Sequence, residues 1–374
     1  MTIYIHIPFC IKKCNYCDFF SITDRNETLV KKYISSVSKE LLLYASNKNK
    51  YFHTNNPIIS SIFFGGGTPT SIDTKYIKNI IQTIKSNFTL DNNCEITIEV
   101  NPATNIDFNE LNKSFINRIS IGIQSFIDEE LILLGRIHSA KLAGEILEKA
   151  KLYFNNINVD IMFSIPNQTI KTLSYTLDNV LKSNVQHIST YSLIYEPGTQ
   201  LYNSLKNKKI NKKTDFEDSK LYKYIYTILK DNGFYHYEVS NFAKENYKCK
   251  HNLNYWNHNE YLGIGAAAYG FINSKRYYNY YDINKYCNLI ENNQFPIENI
   301  EILSKEEIYT EKLFLGLRSE GVNLKFLKKE HINYCKQLEQ KGFALFYQKN
   351  NNIFFKLTSY GYFLCDEITL KLLS

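Results

Sequence analysis

The apolar positions along the chain form short β-rich runs that are separated by longer segments with helical periodicity. The six β-rich runs fall at residues 3–7, 62–64, 95–100, 118–123, 159–163 and 188–193. Helical patterns occupy residues 29–45, 73–87, 140–153, 170–183 and 214–231. Strands that alternate with helices of this length predict a parallel sheet joined by right-handed crossovers.

Polar residues and glycines follow each predicted strand. In chain order they are a cysteine-containing loop, Gly65-Gly66-Gly67, Glu99-x-Asn101, Gln124, Asp160 and Glu196-Pro197-Gly198. In a β/α barrel the carboxyl ends of the strands form the active-site face, so six such ends in succession predict a site. Six strands are too few to close an eight-stranded barrel. We therefore predict an α/β fold with a partial (β/α)6 barrel of the TIM type.

The alternation stops after about residue 290. Residues 304–317, 324–329 and 334–341 have helical patterns, residues 343–347 and 353–357 predict a hairpin, and a last helix follows Thr358. The pattern predicts two domains, a partial barrel with its extension over residues 1–285 and a small helical, winged-helix-like domain over residues 290–374. Such a wing could contact nucleic acid or cover the mouth of the barrel.

Composition and charge exclude several classes of protein. Of the 374 residues, 44% are hydrophobic and 22% are charged, which suits a large folded core and not a disordered chain. No apolar run is long enough for a membrane helix and the N-terminus lacks a signal-peptide pattern, which predicts a cytoplasmic protein. The net charge is +7, but the lysines are dispersed, so we expect no nucleic-acid binding.

Three of the eight cysteines lie close together, as Cys10-x3-Cys14-x2-Cys17. In a cytoplasmic chain such a group favours a metal site over disulfides. Three unequally spaced thiolates favour an iron–sulfur cluster that keeps one iron without a protein ligand. The alternatives are a zinc site and an incidental grouping. His6 could be a fourth zinc ligand, but we expect it to point away from the loop.

These motifs together resemble the radical S-adenosylmethionine (SAM) superfamily, and within it the branch of oxygen-independent coproporphyrinogen III oxidases and their relatives. The resemblance covers nearly the whole chain. The matching segments are Tyr4 to Cys10 with Cys14 and Cys17, Gly65 to Thr70, Glu99 to Pro102, Ile121 to Phe126, Leu134 to His138, Asp160 to Phe163 and Glu196 to Thr199.

The resemblance implies a [4Fe-4S] cluster on Cys10, Cys14 and Cys17, with SAM at the open iron and a separate electron donor. It also implies a set of SAM-contacting residues: Tyr4, Gly66, Gly67, Thr68, Glu99, Gln124, Arg136 and Asp160. Their chemistry suits that role. A carboxylate at a strand end can accept hydrogen bonds from ribose hydroxyls or an ammonium group, and the Arg136 guanidinium offers a planar donor fork to a carboxylate.

Two features distinguish members of this branch. The oxidases have a further cysteine where this chain has Phe19, and the segment from His251 to Trp256 resembles an HNxxYW motif of heme chaperones in the same branch. The resemblance implies that the chain binds heme, with His251 as the heme-binding residue, and transfers it to an acceptor protein that could tether it to a membrane. A solvent-exposed loop histidine is the alternative for His251. A homodimer is left open.

Two other functions are kept as alternatives. One is oxidative decarboxylation of coproporphyrinogen III to protoporphyrinogen IX, and the other is a zinc-stabilised binding module. One local departure from the branch lies at Ala267 and Tyr269, where relatives have a glycine and a histidine or serine. Side chains at these positions could narrow the pocket.

Overall fold

Six parallel strands in chain order form the centre of one large sheet in the computed structural model, which describes residues 1–52 and 57–374. They are β1 (Thr2–Ile7), β2 (Ile58–Gly66), β3 (Thr89–Val100), β4 (Arg118–Gln124), β5 (Ile157–Phe163) and β6 (His187–Ser192). Each strand pairs in parallel with the next. The sheet does not close on itself, because β6 and β1 each pair with a different outer strand. The predicted α/β fold with an open, partial barrel is confirmed.

Helices follow these strands. They are α1 (Glu27–Ser46), α2 (Lys48–Tyr51), α3 (Thr74–Asn87), α4 (Phe108–Lys113), α5 (Asp128–Leu133), α6 (Ala140–Lys151), α7 (Ile170–Lys182), α8 (Gln200–Lys206) and α9 (Asp215–Asp231), with a 3-10 turn at Pro69–Ser71. The five long ones, α1, α3, α6, α7 and α9, lie where the sequence predicts them, whereas the short ones were not predicted. The long helices begin at side chains that accept a hydrogen bond from the first turn. These caps are Asn26, Asp73, Ser139, Thr169 and Thr214. Such caps explain why the helices begin where they do.

Short strands extend the sheet at both edges. Beyond β6 lie β7 (Tyr235–Glu238) and β8 (Asn241–Ala243); beyond β1 lie β9 (Tyr261–Ile264), β10 (Tyr269–Ile272), β11 (Lys275–Asn279) and β12 (Ile297–Ile302). The helices in this part are α10 (Lys250–Trp256) and α11 (Ile283–Glu291). β9 is parallel to β1, whereas the pairings of β10, β11 and β12 are antiparallel. The sequence analysis did not predict these strands.

The two faces of the sheet have different roles. On β1, Ile3, Ile5 and Ile7 are fully buried in the main hydrophobic cluster together with residues of α1. On β4 the alternate positions Arg118, Ser120, Gly122 and Gln124 all line a central cavity. Because side chains alternate along a strand, the outer face packs on the helices and the inner face is left for polar residues.

A second hydrophobic cluster lies in the C-terminal part of the chain. Its elements are α12 (Lys305–Leu317), β13 (Val322–Asn323), 3-10 turns at Leu324–Phe326 and Lys329–His331, α13 (Ile332–Gln340), β14 (Ala344–Lys349), β15 (Asn352–Leu357), α14 (Ser359–Phe363) and α15 (Cys365–Leu373). The predicted hairpin is present as β14 and β15, but the helix predicted over residues 324–329 is wrong, since the segment forms the two short turns. The domain division stays a prediction, and β12 carries the large sheet past residue 290.

In the described ranges, none of the helices combines the length and the apolar character needed to cross a membrane.

Candidate cluster and cofactor site

A cavity of about 590 Å³ lies at the carboxyl ends of the central strands. All three cysteines of the loop after β1 line it. Seven of the eight residues expected to contact SAM also line it: Gly66, Gly67, Thr68, Glu99, Gln124, Arg136 and Asp160. Tyr4 does not. The structure therefore brings ten of the predicted site residues, from five separate strand ends, into one cavity.

Backbone hydrogen bonds hold the cysteine loop in place. The Cys10 amide donates to the Ile22 carbonyl at 2.9 Å, and the Ile22 amide donates to the Pro8 carbonyl at 2.7 Å. Further along the loop, the Asn15 amide donates to the Leu134 carbonyl at 3.0 Å. The loop is thus tied both to its own base and to the turn after α5. None of these backbone bonds involves a thiol, so the loop conformation does not depend on them.

The arrangement of thiols fits an iron–sulfur cluster. Cys10 is buried, Cys14 and Cys17 are half-buried, and all three are free thiols facing the same cavity. In the described part of the chain no three His, Cys, Asp or Glu side chains converge as a single metal ion would require. Burial raises the pKa of the Cys17 thiol to about 11, so a positively charged partner is needed to hold it as a thiolate. The irons of a cluster held by three thiolates would provide that positive charge.

His6 lies against the cysteine loop, and the expectation that it points away is wrong. Its Nε2 is 2.9 Å from the Phe20 carbonyl oxygen, and its Nδ1 is 3.3 Å from the Tyr4 hydroxyl. Burial lowers the pKa of the ring to about 4, so the imidazole is neutral. With both nitrogens in hydrogen bonds, His6 supports the end of the loop and does not serve as a metal ligand.

The glycines after β2 are needed for close packing. Gly66 has φ +105°, and a Cβ there would lie 2.4 Å from the His6 ring. A Cβ on Gly67 would lie 2.8 Å from the Ile7 carbonyl oxygen, to which the Gly67 amide donates at 2.9 Å. These contacts place the glycine loop beside the cysteine loop. The Thr68 hydroxyl lies 3.6 Å from the Cys10 sulfur as a result.

Arg136 connects the end of β4 to the cysteine loop. Its Nη1 donates to the Cys14 sulfur at 3.3 Å and its Nη2 donates to the Gly122 carbonyl at 2.6 Å. Its Nε is buried and has no hydrogen-bond partner among the described residues. Beside it, Gln124 has φ +70° at an irregularity in the pairing of β4 with β5. Such backbone irregularities redirect side chains and are frequent at functional sites.

Two carboxylates line the cavity below the loop. Glu99 accepts a hydrogen bond from the Gly66 amide at 3.2 Å. Burial, and then the negative charge of Asp160, raise the pKa of Glu99 to about 8. Asp160 accepts hydrogen bonds from Asn158 at 2.7 Å and from Ser120 at 3.1 Å. A cationic or hydroxyl-bearing ligand would therefore find an acceptor here.

The floor of the cavity contains polar residues that the sequence analysis missed. Arg118 is 2% exposed and lines the cavity, and its buried Nε has no hydrogen-bond partner among the described residues. Its charge interacts at longer range with Glu95 and Asp160. Ser120 on the same strand, Asn158 on β5 and Ser189 on β6 also line the cavity. The signal that could have found them is the two-residue alternation of polar positions within β4, β5 and β6.

His251 is buried under the cavity, and the solvent-exposed loop alternative is wrong. It belongs to α10 and is 1% exposed. Its Nδ1 lies 2.9 Å from the Ser61 hydroxyl and its Nε2 lies 2.9 Å from the Tyr255 hydroxyl. The structure does not support an iron–nitrogen bond at His251, because both ring nitrogens are engaged. The residue of this motif that lines the cavity is Asn252.

Tyr4, Phe63 and His251 form a three-ring cluster, in which the centroids of Tyr4 and His251 are 6.5 Å apart. The ring centroids of Tyr4 and Phe63 are 6.3 Å apart, and those of Phe63 and His251 are 5.0 Å apart. Phe63 itself lines the cavity. Tyr4 and His251 thus support a ring that a bound molecule would contact directly, and their own polar atoms face other side chains.

The departure at Ala267 and Tyr269 does not narrow the cavity. Neither residue lines it; Ala267 is buried with φ +58°, and the Tyr269 hydroxyl lies 3.1 Å from that of Tyr281. No described residue after Asn252 lines the cavity either. The C-terminal β14–β15 hairpin therefore does not form its wall.

Comparison with known proteins agrees with this geometry. The family model of the radical SAM superfamily matches residues 4–180. The chain is 32% identical to the heme chaperone HemW of Bacillus subtilis, over 98% of this chain and 97% of that protein. The chain belongs to the HemW family. A second HemW-family relative, from Buchnera aphidicola subsp. Schizaphis graminum, is 35% identical over 96% of this chain and 95% of its own length.

The solved structures support the same fold. The coproporphyrinogen III oxidase HemN from Escherichia coli, described as a radical SAM enzyme, superimposes with a TM-score of 0.80 over 100% of this chain and 90% of its own chain. The sequence identity is 19%, so this likeness shows the fold and not the activity. The superfamily implies a [4Fe-4S] cluster and SAM, in agreement with the thiol set described above.

Proposed function

We propose that this HemW-family chain binds heme and transfers it to an acceptor protein, on a scaffold with a [4Fe-4S] cluster and SAM. The main support is the near full-length identity of 32% and 35% to two proteins named heme chaperones. Phe19, where the oxidases of the branch have a further cysteine, supports the same choice. The partner proteins in this proposal are the heme acceptor and a donor of electrons to the cluster.

For the resident cofactors we propose one set of roles. Cys10, Cys14 and Cys17 hold three irons, and SAM lies between the open iron and the strand ends. When bound there, a reduced cluster can supply an electron that cleaves the sulfonium of SAM. Glu99 and Asp160 accept hydrogen bonds from SAM, and the backbone at Gly66 and Gly67 lets it approach closely.

Arg136→Lys is expected to weaken SAM binding by roughly ten- to a hundredfold, the effect of losing a charge-assisted hydrogen bond. In wild type, Nη1 and Nη2 of Arg136 bond the Cys14 sulfur and the Gly122 carbonyl, and Nε is left for a ligand. Lysine keeps the charge but lacks this planar set of three donor nitrogens. Equilibrium dialysis of SAM on the cluster-loaded protein measures this. Arg276→Lys is the matched control, since Arg276 pairs with Glu311 outside the cavity. An unchanged SAM affinity would restrict Arg136 to supporting the loop.

The affinity for SAM is expected to rise between about pH 6 and pH 8. The pKa of Glu99 is raised to about 8, so the carboxyl is mostly protonated at pH 6 and ionises as the pH approaches 8. The ionised form is the better acceptor for an ammonium or a ribose hydroxyl, and binding therefore releases a proton. Glu99→Gln should lose this pH dependence. If the variant and the wild type show the same pH profile, another group is responsible.

Heme binding itself is tested by an anaerobic titration of cluster-loaded protein, with the Soret band as the signal. Saturation near one heme per chain supports the proposal. Full iron–sulfur content without saturable heme binding would overturn it. In that case the assay to run is conversion of coproporphyrinogen III by the reduced protein with SAM, because the fold is shared with HemN.

A further inference from the structure

The mouth of the cavity combines exposed apolar and cationic side chains. Phe19 is 70% exposed and Ile194 is 66% exposed, and both line the cavity. Lys12 and Lys13 are exposed and line it as well. Large exposed apolar side chains on a concave surface that also contains charged groups are typical of sites that bind a partly apolar ligand.

The two apolar residues come from the two ends of the strand series. Phe19 follows Cys17 in the loop after β1, and Ile194 follows β6. The segments are nevertheless joined, because the Leu201 amide donates to the Asn15 carbonyl at 2.9 Å. Phe19 and Ile194 line the same cavity as the three thiols, and we call this part of the cavity mouth the rim.

The chemistry of heme matches this rim. Heme is a flat, largely apolar macrocycle with two propionate groups at one edge, and it therefore needs an apolar contact beside cationic donors. Phe19 can stack on the macrocycle and Ile194 can pack on it, while two adjacent lysines provide charge for the carboxylates. Among the described residues that line the cavity there is no histidine, so His251 is not available as the anchor.

We propose that heme binds at the cavity mouth, with its macrocycle on Phe19 and Ile194 and its propionates at Lys12 and Lys13. This inference rests on the proposed function and gives it a location. It also gives Phe19 a positive role. The side chain that replaces the further cysteine of the oxidases provides the apolar contact for the cargo. An acceptor protein could then approach heme from solvent without opening the barrel.

The experiment is a heme titration of three variants of the cluster-loaded full chain. Phe19→Asp with Ile194→Asp should raise the heme Kd at least about tenfold, from the loss of apolar burial. Leu152→Asp is the matched control, since Leu152 is 76% exposed and does not line the cavity. Ile194→Asp alone gives a second test outside the cysteine loop. Iron content and SAM affinity are measured on every variant to show that the cluster site is intact.

The charge contribution is tested with heme and with its dimethyl ester. Lys12→Glu with Lys13→Glu should weaken heme binding and leave binding of the ester unchanged, whereas Lys208→Glu with Lys209→Glu should change neither. Wild-type affinity in both rim variants would overturn the inference while the chaperone proposal stands. Unchanged heme binding with lost transfer to an acceptor would also overturn it and assign the rim to the acceptor. If wild type does not bind heme saturably, the proposed function fails first.

Discussion

Cys14→Ser is expected to yield a folded protein that lacks its iron–sulfur cluster. A serine hydroxyl does not replace a thiolate ligand, and with two thiolates left the cluster is not retained. Iron and sulfide analysis after anaerobic reconstitution, together with the absorbance near 400 nm, measures the loss. Iron and sulfide contents equal to those of wild type would remove Cys14 from the ligand set.

Cys14 is a better position to substitute than Cys10, because its thiol is only half-buried. Its sulfur accepts a hydrogen bond from Arg136, whereas Cys10 is buried against Thr68. Cys335→Ser is the matched control. Cys335 is fully buried in the C-terminal hydrophobic cluster and lies outside the cavity, so its substitution tests the loss of a buried thiol without loss of a ligand. The control should keep its iron.

The same iron analysis and absorbance spectrum distinguish an iron–sulfur cluster from a zinc site. A zinc-stabilised module would be colourless, would contain one zinc per chain, and would keep that colourless state in wild type and control alike. A brown wild-type protein with several irons per chain is the expected result.

The sequence was sufficient for the parts of the fold that local patterns determine. The six central strands and their helices were predicted because apolar periodicity and capping residues act over short ranges. The outer strands β7 to β11 were missed because each has three to five residues, too few for a period-two pattern to be recognised. β12 has six residues, but almost all of them are exposed, so it was missed as well. The short turns at Leu324–Phe326 and Lys329–His331 were mistaken for one helix, because each has only three residues and the break between them leaves no clear mark in the apolar pattern.

Most of the candidate site was predictable where its residues end or follow strands. Gly66 and Gln124 are the last residues of β2 and β4, whereas Asp160 lies inside β5 and was predicted with the help of the family resemblance. Arg118 and Asn158 lie inside β4 and β5, where sequence alone does not show which face of the strand points into the barrel. The exposure of Phe19 and Ile194 likewise depends on which loops meet across the open edge of the sheet.

The burial of His251 is the clearest example of a site feature that the sequence alone does not predict. Its motif resembles that of heme chaperones, but the partners of its ring are set by tertiary contacts. Ser61 is 190 positions away in the chain, whereas Tyr255 is one helical turn away. Lys248 and Lys250 beside it suggested an exposed loop. The carboxylate of Glu95 instead accepts hydrogen bonds from the Lys250 and His251 amides and draws the start of α10 into the core.

His251→Ala is therefore expected to lower the free energy of unfolding by about 2–4 kcal/mol, because two buried hydroxyls lose their partner and the Phe63 ring loses a neighbour. Urea titration of wild type and variant measures this. His251→Gln is the conservative variant, since its amide can still reach one hydroxyl, and it should recover part of the loss. If His251 bound heme iron from an accessible position, neither variant would change stability in the absence of heme.

The pH dependence of the stability difference between wild type and the His251 variants distinguishes a buried, neutral histidine from an accessible heme ligand. Burial lowers the pKa of His251 to about 3 from an ordinary value of 6.5. Between these two values the unfolded chain binds a proton that the folded chain does not, so the wild type loses stability as the pH falls, by about 1.4 kcal/mol per unit. With alanine or glutamine at position 251, neither the folded nor the unfolded chain binds a proton at this position. The stability gap between wild type and either variant should therefore be largest above pH 6.5 and shrink towards pH 5; a constant gap would mean that the folded protein can protonate His251.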